Sequence, residues 1–247
     1  MDWKVGDTVT RISHNNDCEF VIKYIDTEQK IALLKGKCVR LNADAPLSDL
    51  KEANDRYVND ETHLMLPKFS INTMFGKVLH LDGDSNFLDK CMRLYRKYAI
   101  PSVGYYMEEK NMPFSVGDLL RKHKPDVLVI TGHDALSNSP FSSQYMNSAY
   151  FFNAVLKARE YQPSKDLLAI IVGGCQSDFK RLIEYANFAS SPAGINISAL
   201  DPAIVAIMVS MTSVNESVNV LAAINQTSSK NAGITGVDTR GMARKLY

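Results

Sequence analysis

The 247-residue chain lacks any apolar run of the ~18–20 residues that a membrane span needs. Its start, MDWKVGDTVTR, carries acids and bases where a signal peptide would need an apolar core. Neither a membrane span nor export is expected, so the protein should stay inside the cell that makes it. Charge of one sign is missing too. Lys and Arg number 28 against 27 Asp and Glu, for a formal net charge of +1, which gives no push toward nucleic acid or anionic lipid as a general partner. The four cysteines, Cys18, Cys38, Cys91 and Cys175, contain no C-x-x-C pair, which argues against structural zinc and against a disulfide framework. No G-x-S-x-G is present to carry a serine triad, and there are no internal repeats or low-complexity tracts.

What is there is ordinary for a globular protein: 45% hydrophobic and 22% charged residues. The length allows one large domain, or a medium domain and a small one. Residues 1–50 alternate apolar and polar in short bursts (VGDTVTRI, EFVIKYID, KIALLKG, KCVRLNA) divided by turn-prone clusters. That spacing predicts a small antiparallel barrel of SH3-like size. Residues 51–75 are polar and weakly periodic and are expected to form a linker with at most one helical turn. From residue 76 to 247 apolar strands alternate with amphipathic helices. Strands are expected over 77–84, 100–107, 126–133 and 166–175, and helices over 85–99, 115–123, 145–160, 176–186 and 199–213. Continuous apolar strands separated by helices imply an α/β domain whose mostly parallel sheet is covered on both faces.

Ligands of parallel α/β sheets bind beyond the carboxyl ends of the strands. Two strands bring reactive side chains there. DVLVIT runs into Gly132-His133-Asp134, and LLAIIV runs into Gly173-Gly174-Cys175. One helix and one strand separate them, so a right-handed crossover can make the two strands neighbours. A thiol at the start of a helix and beside an imidazole is favoured as thiolate. The glycine amides, with Gly132 and Gly174 as the first candidates, offer an oxyanion hole. Taken singly, each residue has a plainer reading. A Cys after a buried strand is more often structural, and a His at a strand end is more often a satisfied surface or core group. The pair at two strand ends, each preceded by glycine, brings the two readings level. Chain order adds to this, because glutamine-amidotransferase-like enzymes place the nucleophile before the histidine. His before Cys at successive strand ends is the caspase-like arrangement.

The segments HLDGD (80–84), VLVITGHDA (127–135), GGCQSDF (173–179), NFASSP (187–192), ALDP (199–202) and GVDTRG (236–241) together resemble the YabG family of sporulation-specific cysteine proteases of spore-forming bacteria. The resemblance covers almost the whole chain and is specific only when the segments are taken together. It implies a cysteine endopeptidase with no metal or organic cofactor, whose catalytic His and Cys fall on His133 and Cys175. It further implies spore coat and cortex-associated proteins as substrates, synthesis in the cytoplasm of the mother cell and association with the forming coat. One departure is Gly174, where the pattern has a small residue such as Ala.

Smaller expectations concern the other polar residues. Asp82, Asp84, Asp178 and Asp201 are candidates for a carboxylate in a P1 pocket that would take a basic residue, against plainer roles as caps and turn residues. Asp134 is expected to be an exposed loop acid, since sequence neighbours of a strand end point apart. His14, His63, His80 and His123 show no ligand spacing and read as structural. The basic tail (Arg240, Arg244, Lys245) makes self-processing conceivable. Two other functions stay open: a cysteine amidohydrolase or acyltransferase acting on a small molecule, and a non-catalytic assembly protein of the spore coat.

Overall fold

A computed structural model describes residues 2–53, 63–69, 72–139 and 142–247. It divides into two compact units, Met1–His63 and Leu64–Tyr247.

The first unit contains β1 (Thr8–Arg11), β2 (Phe20–Asp26), β3 (Ile31–Gly36), β4 (Asn42–Pro46) and β5 (Leu50–Glu52). They form an antiparallel sheet in the order β4-β3-β2-β1-β5. Alternation decides which face is buried: Phe20 and Ile22 of β2 join Ala32 and Leu34 of β3, Val9 and Leu50 in one apolar cluster. The sheet reaches Glu52, past the expected limit at residue 50. Much of the expected linker lies outside the described residues.

In the second unit, β6 (Thr73–Met74) pairs with β15 (Arg244–Lys245). Its main sheet is built from β7 (Val78–Asp82), β8 (Ser102–Tyr106), β9 (Val127–Thr131), β12 (Ala169–Val172), β13 (Phe188–Ser190) and β14 (Ile234–Gly236). The order is β14-β13-β12-β9-β7-β8, parallel throughout except for β14. Every residue of β7, β9 and β12 is buried, as strands covered on both faces require. Side chains alternate between two cores. Val127 and Val129 pack toward α1 (Ser85–Lys97) and α5 (Asp201–Met211), and Leu128 and Ile130 toward α2 (Met112–His123) and α3 (Ser148–Tyr161).

The helices follow from their sequences. Asp84 caps α1 by accepting hydrogen bonds from the amides of Asn86 and Phe87 at 2.9 and 3.3 Å. The helix then buries Phe87, Leu88, Cys91, Leu94 and Tyr95, one apolar stripe. Helix α5 is buried at every position, the fate of a helix that is apolar all round. The remaining elements are α4 (Phe179–Ile183), α6 (Val220–Asn225), α7 (Lys230–Gly233) and a hairpin of β10 (Leu136–Ser139) and β11 (Ser142–Tyr145). The sequence pattern gives no hint of this hairpin, and it delays the helix expected from residue 145 until Ser148. No helix among the described residues is long and apolar enough to cross a membrane.

Candidate active site

Strands β9 and β12 lie side by side and parallel, with Ile130 opposite Val172 as their last register pair. His133 and Cys175 each follow three positions beyond that pair. The chains stay in contact past the sheet. The Gly173 amide donates to the Ile130 carbonyl at 3.0 Å, and a Cβ on Gly174 would lie 2.3 Å from the Gly132 carbonyl oxygen. Glycine at 174 is thus what allows the two backbones to pass. Gly173 has φ +115°, a backbone angle that side chains disfavour.

His133 is partly exposed and stands between two carboxylates. Its Nε2 is 3.5 Å from Asp84 Oδ2, and its Nδ1 is 3.5 Å from Glu109 Oε1. The same Glu109 oxygen accepts the His133 backbone amide at 2.8 Å, and the His133 carbonyl accepts Asn147 Nδ2 at 2.8 Å. Three strand ends therefore meet at the imidazole: Asp84 follows β7, Glu109 follows β8 and His133 follows β9. Burial pushes the Glu109 carboxyl up, but its contacts with the His133 ring and amide outweigh this and hold it below the usual range. His133 Nε2 is buried, faces Asp84 Oδ2 and makes no hydrogen bond.

Cys175 is fully buried. Its sulfur accepts the Ile197 amide at 3.5 Å and lies 3.8 Å from the Ile197 carbonyl. Gln176 is held on the same segment, its amide bonding to Ile195 O at 3.1 Å and its side chain to Asn196 Oδ1 at 3.2 Å. The helix expected directly after Cys175 starts later. Gln176 takes φ +53°, outside helical space, and Asp178 caps a short α4 beginning at Phe179. The thiol therefore sits in the turn before the helix, and the amide that points at its sulfur is that of Ile197.

Asp134 overturns its sequence expectation. It is 2% exposed and accepts Ser177 Oγ at 2.9 Å, the Asn147 amide at 2.9 Å and the Ala135 amide at 3.0 Å, along with Ser148 Oγ. The Gly174 amide donates to Ser177 Oγ at 2.8 Å, and the Asp178 amide donates to Ser148 Oγ at 2.8 Å. Asp134 points away from His133, as neighbours should, but into the fold. There it clamps the turn after β9 to the turn after β12. Burial pushes its carboxyl above the usual range against these hydrogen bonds.

With this geometry in hand, comparison with known proteins decides the family. The YabG peptidase U57 family model matches residues 4–73 and 65–247. The chain belongs to the YabG peptidase family. It is 36% identical over 290 residues to the sporulation-specific protease YabG of Bacillus subtilis (strain 168), a match covering 99% of this chain and 97% of that protein. No solved structure matches it. Membership of the YabG family makes the chain a protease.

The four carboxylates considered for a P1 pocket are not equivalent. Asp82 is buried and accepts the Asp84 amide at 2.9 Å. Asp84 is divided between its cap and His133. Asp201 is buried at the start of α5, where it accepts the amides of Ser228 and Ser229 at 2.8 and 3.0 Å, and burial raises its carboxyl. Asp178 alone of the four is partly exposed. Among the described residues, the group able to hold a metal is His80, Asp82 and Cys91, whose ligand atoms lie within 4.8 Å of one another and are buried. Both ring nitrogens of His80 are already engaged, Nδ1 with Tyr95 Oη at 3.0 Å and Nε2 with Thr131 Oγ1 at 2.8 Å. The cluster reads as a satisfied polar network beneath the site. Glu109 is the neighbour of His133 that sequence reasoning missed.

Proposed function

We propose that this protease is a cysteine endopeptidase in which Cys175 attacks the substrate and His133 moves the proton. The observation that supports this most is the contact between the two strand ends that carry these residues. In the first step the Cys175 thiolate adds to the scissile carbonyl carbon while the carbonyl oxygen takes up the negative charge. Collapse expels the amine, which receives a proton from the His133 imidazolium and leaves a thioester on Cys175. Water, deprotonated by His133, then attacks the thioester, releasing the carboxylic acid and regenerating the thiol. The Gly132 amide is the first donor for the oxyanion. The Gly174 amide joins it only by turning away from Ser177 Oγ, its partner at 2.8 Å.

The catalytic unit is read as caspase-like. Support comes from its parallel order, with the acid–base residue following β9 and the nucleophile following β12. The N-terminal unit is read as an SH3-like barrel on the strength of its five short antiparallel strands. Spore coat and cortex-associated proteins are the proposed substrates, following the family relationship, and self-processing at the basic tail (Arg240, Arg244, Lys245) is a proposed side reaction. Synthesis in the mother cell and association with the forming coat belong to the same reading. Cleavage after a basic residue is proposed, with Asp178 as the carboxylate, because it is the partly exposed one of the four and the other three are buried; its Oδ1 caps α4 through the Arg181 amide at 3.4 Å. A planar guanidinium makes two charge-assisted bonds to a carboxylate, which favours Arg over Lys.

The test is digestion of a spore coat protein extract by the intact chain and by Cys175→Ala. Fragments from the wild type alone support the nucleophile. Equal cleavage by the variant contradicts it, and coat proteins bound but not cut by the wild type would favour the assembly role.

A further inference from the structure

Of the polar groups around His133, Glu109 is the one that the fold makes room for at two separate places. Its carboxylate lies between two strand ends, where glycines stand on both sides. A Cβ on Gly83 would come within 2.0 Å of Glu109 Oε1, and a Cβ on Gly132 within 2.6 Å of the same atom. Neither glycine adopts a left-handed backbone angle, so the turns themselves do not demand glycine there. The absent side chains instead leave a slot that the Glu109 oxygen fills. Within that slot Oε1 does two things. It accepts the His133 backbone amide at 2.8 Å, which fixes the residue, and it lies 3.5 Å from Nδ1 of the same residue, which fixes the ring. The carboxyl stays below its usual range despite partial burial, as expected of a charge facing a positive or polarised imidazole.

We propose that Glu109 is the positioning residue of the catalytic pair, orienting His133 through Nδ1 and leaving Nε2 to exchange the proton with Cys175 and the substrate. This rests on the dyad reading above and adds a third member that the comparisons do not assign. When the thiol gives up its proton, the imidazolium carries a charge that Glu109 faces at close range and half out of water, where Coulomb attraction is much stronger than in solvent. A carboxylate behind the histidine also fixes the tautomer with hydrogen on Nδ1, so Nε2 is the basic nitrogen. Asp84 differs in that its Oδ1 caps α1 at Asn86 and Phe87 while only its Oδ2 faces Nε2, and it has no bond to the His133 backbone, whereas one Glu109 oxygen meets both the ring and the amide.

The experiment uses the full chain and the peptide that the wild type cleaves best in a scanned library. Glu109→Gln keeps the shape and an oxygen for the His133 amide but removes the charge. We expect kcat to fall by roughly 10²-fold, the low end of what a proton-transfer group contributes, with KM within about twofold because the proposed role of Glu109 is exerted through His133. Gly83→Ala is the second variant. It leaves Glu109 in the sequence but drives its carboxylate out of the slot, and it should lower kcat in the same way if Glu109→Gln fails to fold. Both should slow alkylation of Cys175 by iodoacetamide, read by mass on the Cys175 peptide. Wild-type kcat in Glu109→Gln, or a loss confined to KM, would reduce Glu109 to a tie for the His133 amide and overturn the proposal. The dyad fails separately: in that case Cys175→Ala itself would be active.

Discussion

After β9 the chain presents its imidazole partly exposed between the carboxylates of Asp84 and Glu109. After β12 the thiol of Cys175 is folded out of contact with solvent against the backbone of Ile197. The first strand end spends charged side chains to hold one ring. The second spends backbone, with Gly173 and Gly174 ahead of the cysteine and Gln176 behind it in left-handed space. In the proposed dyad the base is thus held between charges, whereas the proposed nucleophile is packed against the backbone of Ile197. Asp134 links the two, accepting the Ala135 and Asn147 amides on one side and Ser177 Oγ on the other.

That contrast can be broken at its strongest point first. His133→Ala removes the acid and the base of both steps, so proteolysis should drop by about 10³-fold or more, with circular dichroism and the melting temperature little changed. Activity within tenfold of wild type would leave the charged side of the site without a purpose.

Asp134→Ala attacks the link. It strips the acceptor from two hydroxyls and two amides, and roughly 3 kcal/mol of stability should go with it, read by urea denaturation. A loss below about 0.5 kcal/mol would mean that the turns are held by something else. The sign of its pH dependence follows from burial, which raises this carboxyl in the fold. The folded state therefore favours the neutral form; that stability is present at low pH and is lost as pH rises through the folded value. Asp134→Asn, which does not ionise, should flatten this slope.

The smallest effect concerns the outer rim. Asp178→Asn should cut the preference for Arg over Leu at P1 by about 10²-fold in a peptide library, since a substrate guanidinium would lose its charged partner. A wild type with no preference for Arg would remove the acidic pocket from the account altogether.

The placement of His133 and Cys175 beyond neighbouring parallel strands was legible because strand ends are. VLVIT and AIIV are unbroken apolar runs, each followed by glycine and then a reactive side chain, and a parallel sheet delivers both to one edge. Helix α1 was legible from Asp84 and its apolar stripe. Other features were hidden for physical reasons. Glu109 sits in MEEKNM, a charged stretch that reads as solvated, and its signal lies elsewhere, in Gly83 and Gly132, which leave space for a side chain neither possesses. Asp134 pointed away from His133 as expected, but sequence gives no way to see that Ser148 and Ser177 wait in that direction. Helix α4 was drawn too early, because DFKRLIEYA carries helical periodicity while the left-handed turn at Gln176 leaves no mark on it. The hairpin Leu136–Ser139 and Ser142–Tyr145 is polar and follows no alternation that would reveal a strand.

The central claim is that His133 and Cys175 act as one unit, and the rate at which iodoacetamide alkylates Cys175 tests this without any substrate. Measured near neutral pH on the wild type and on His133→Ala, the account predicts clearly slower modification of the Cys175 peptide in the variant, because the thiolate loses the imidazolium that favours it. An unchanged rate would mean that the two groups do not interact, and the dyad would be wrong.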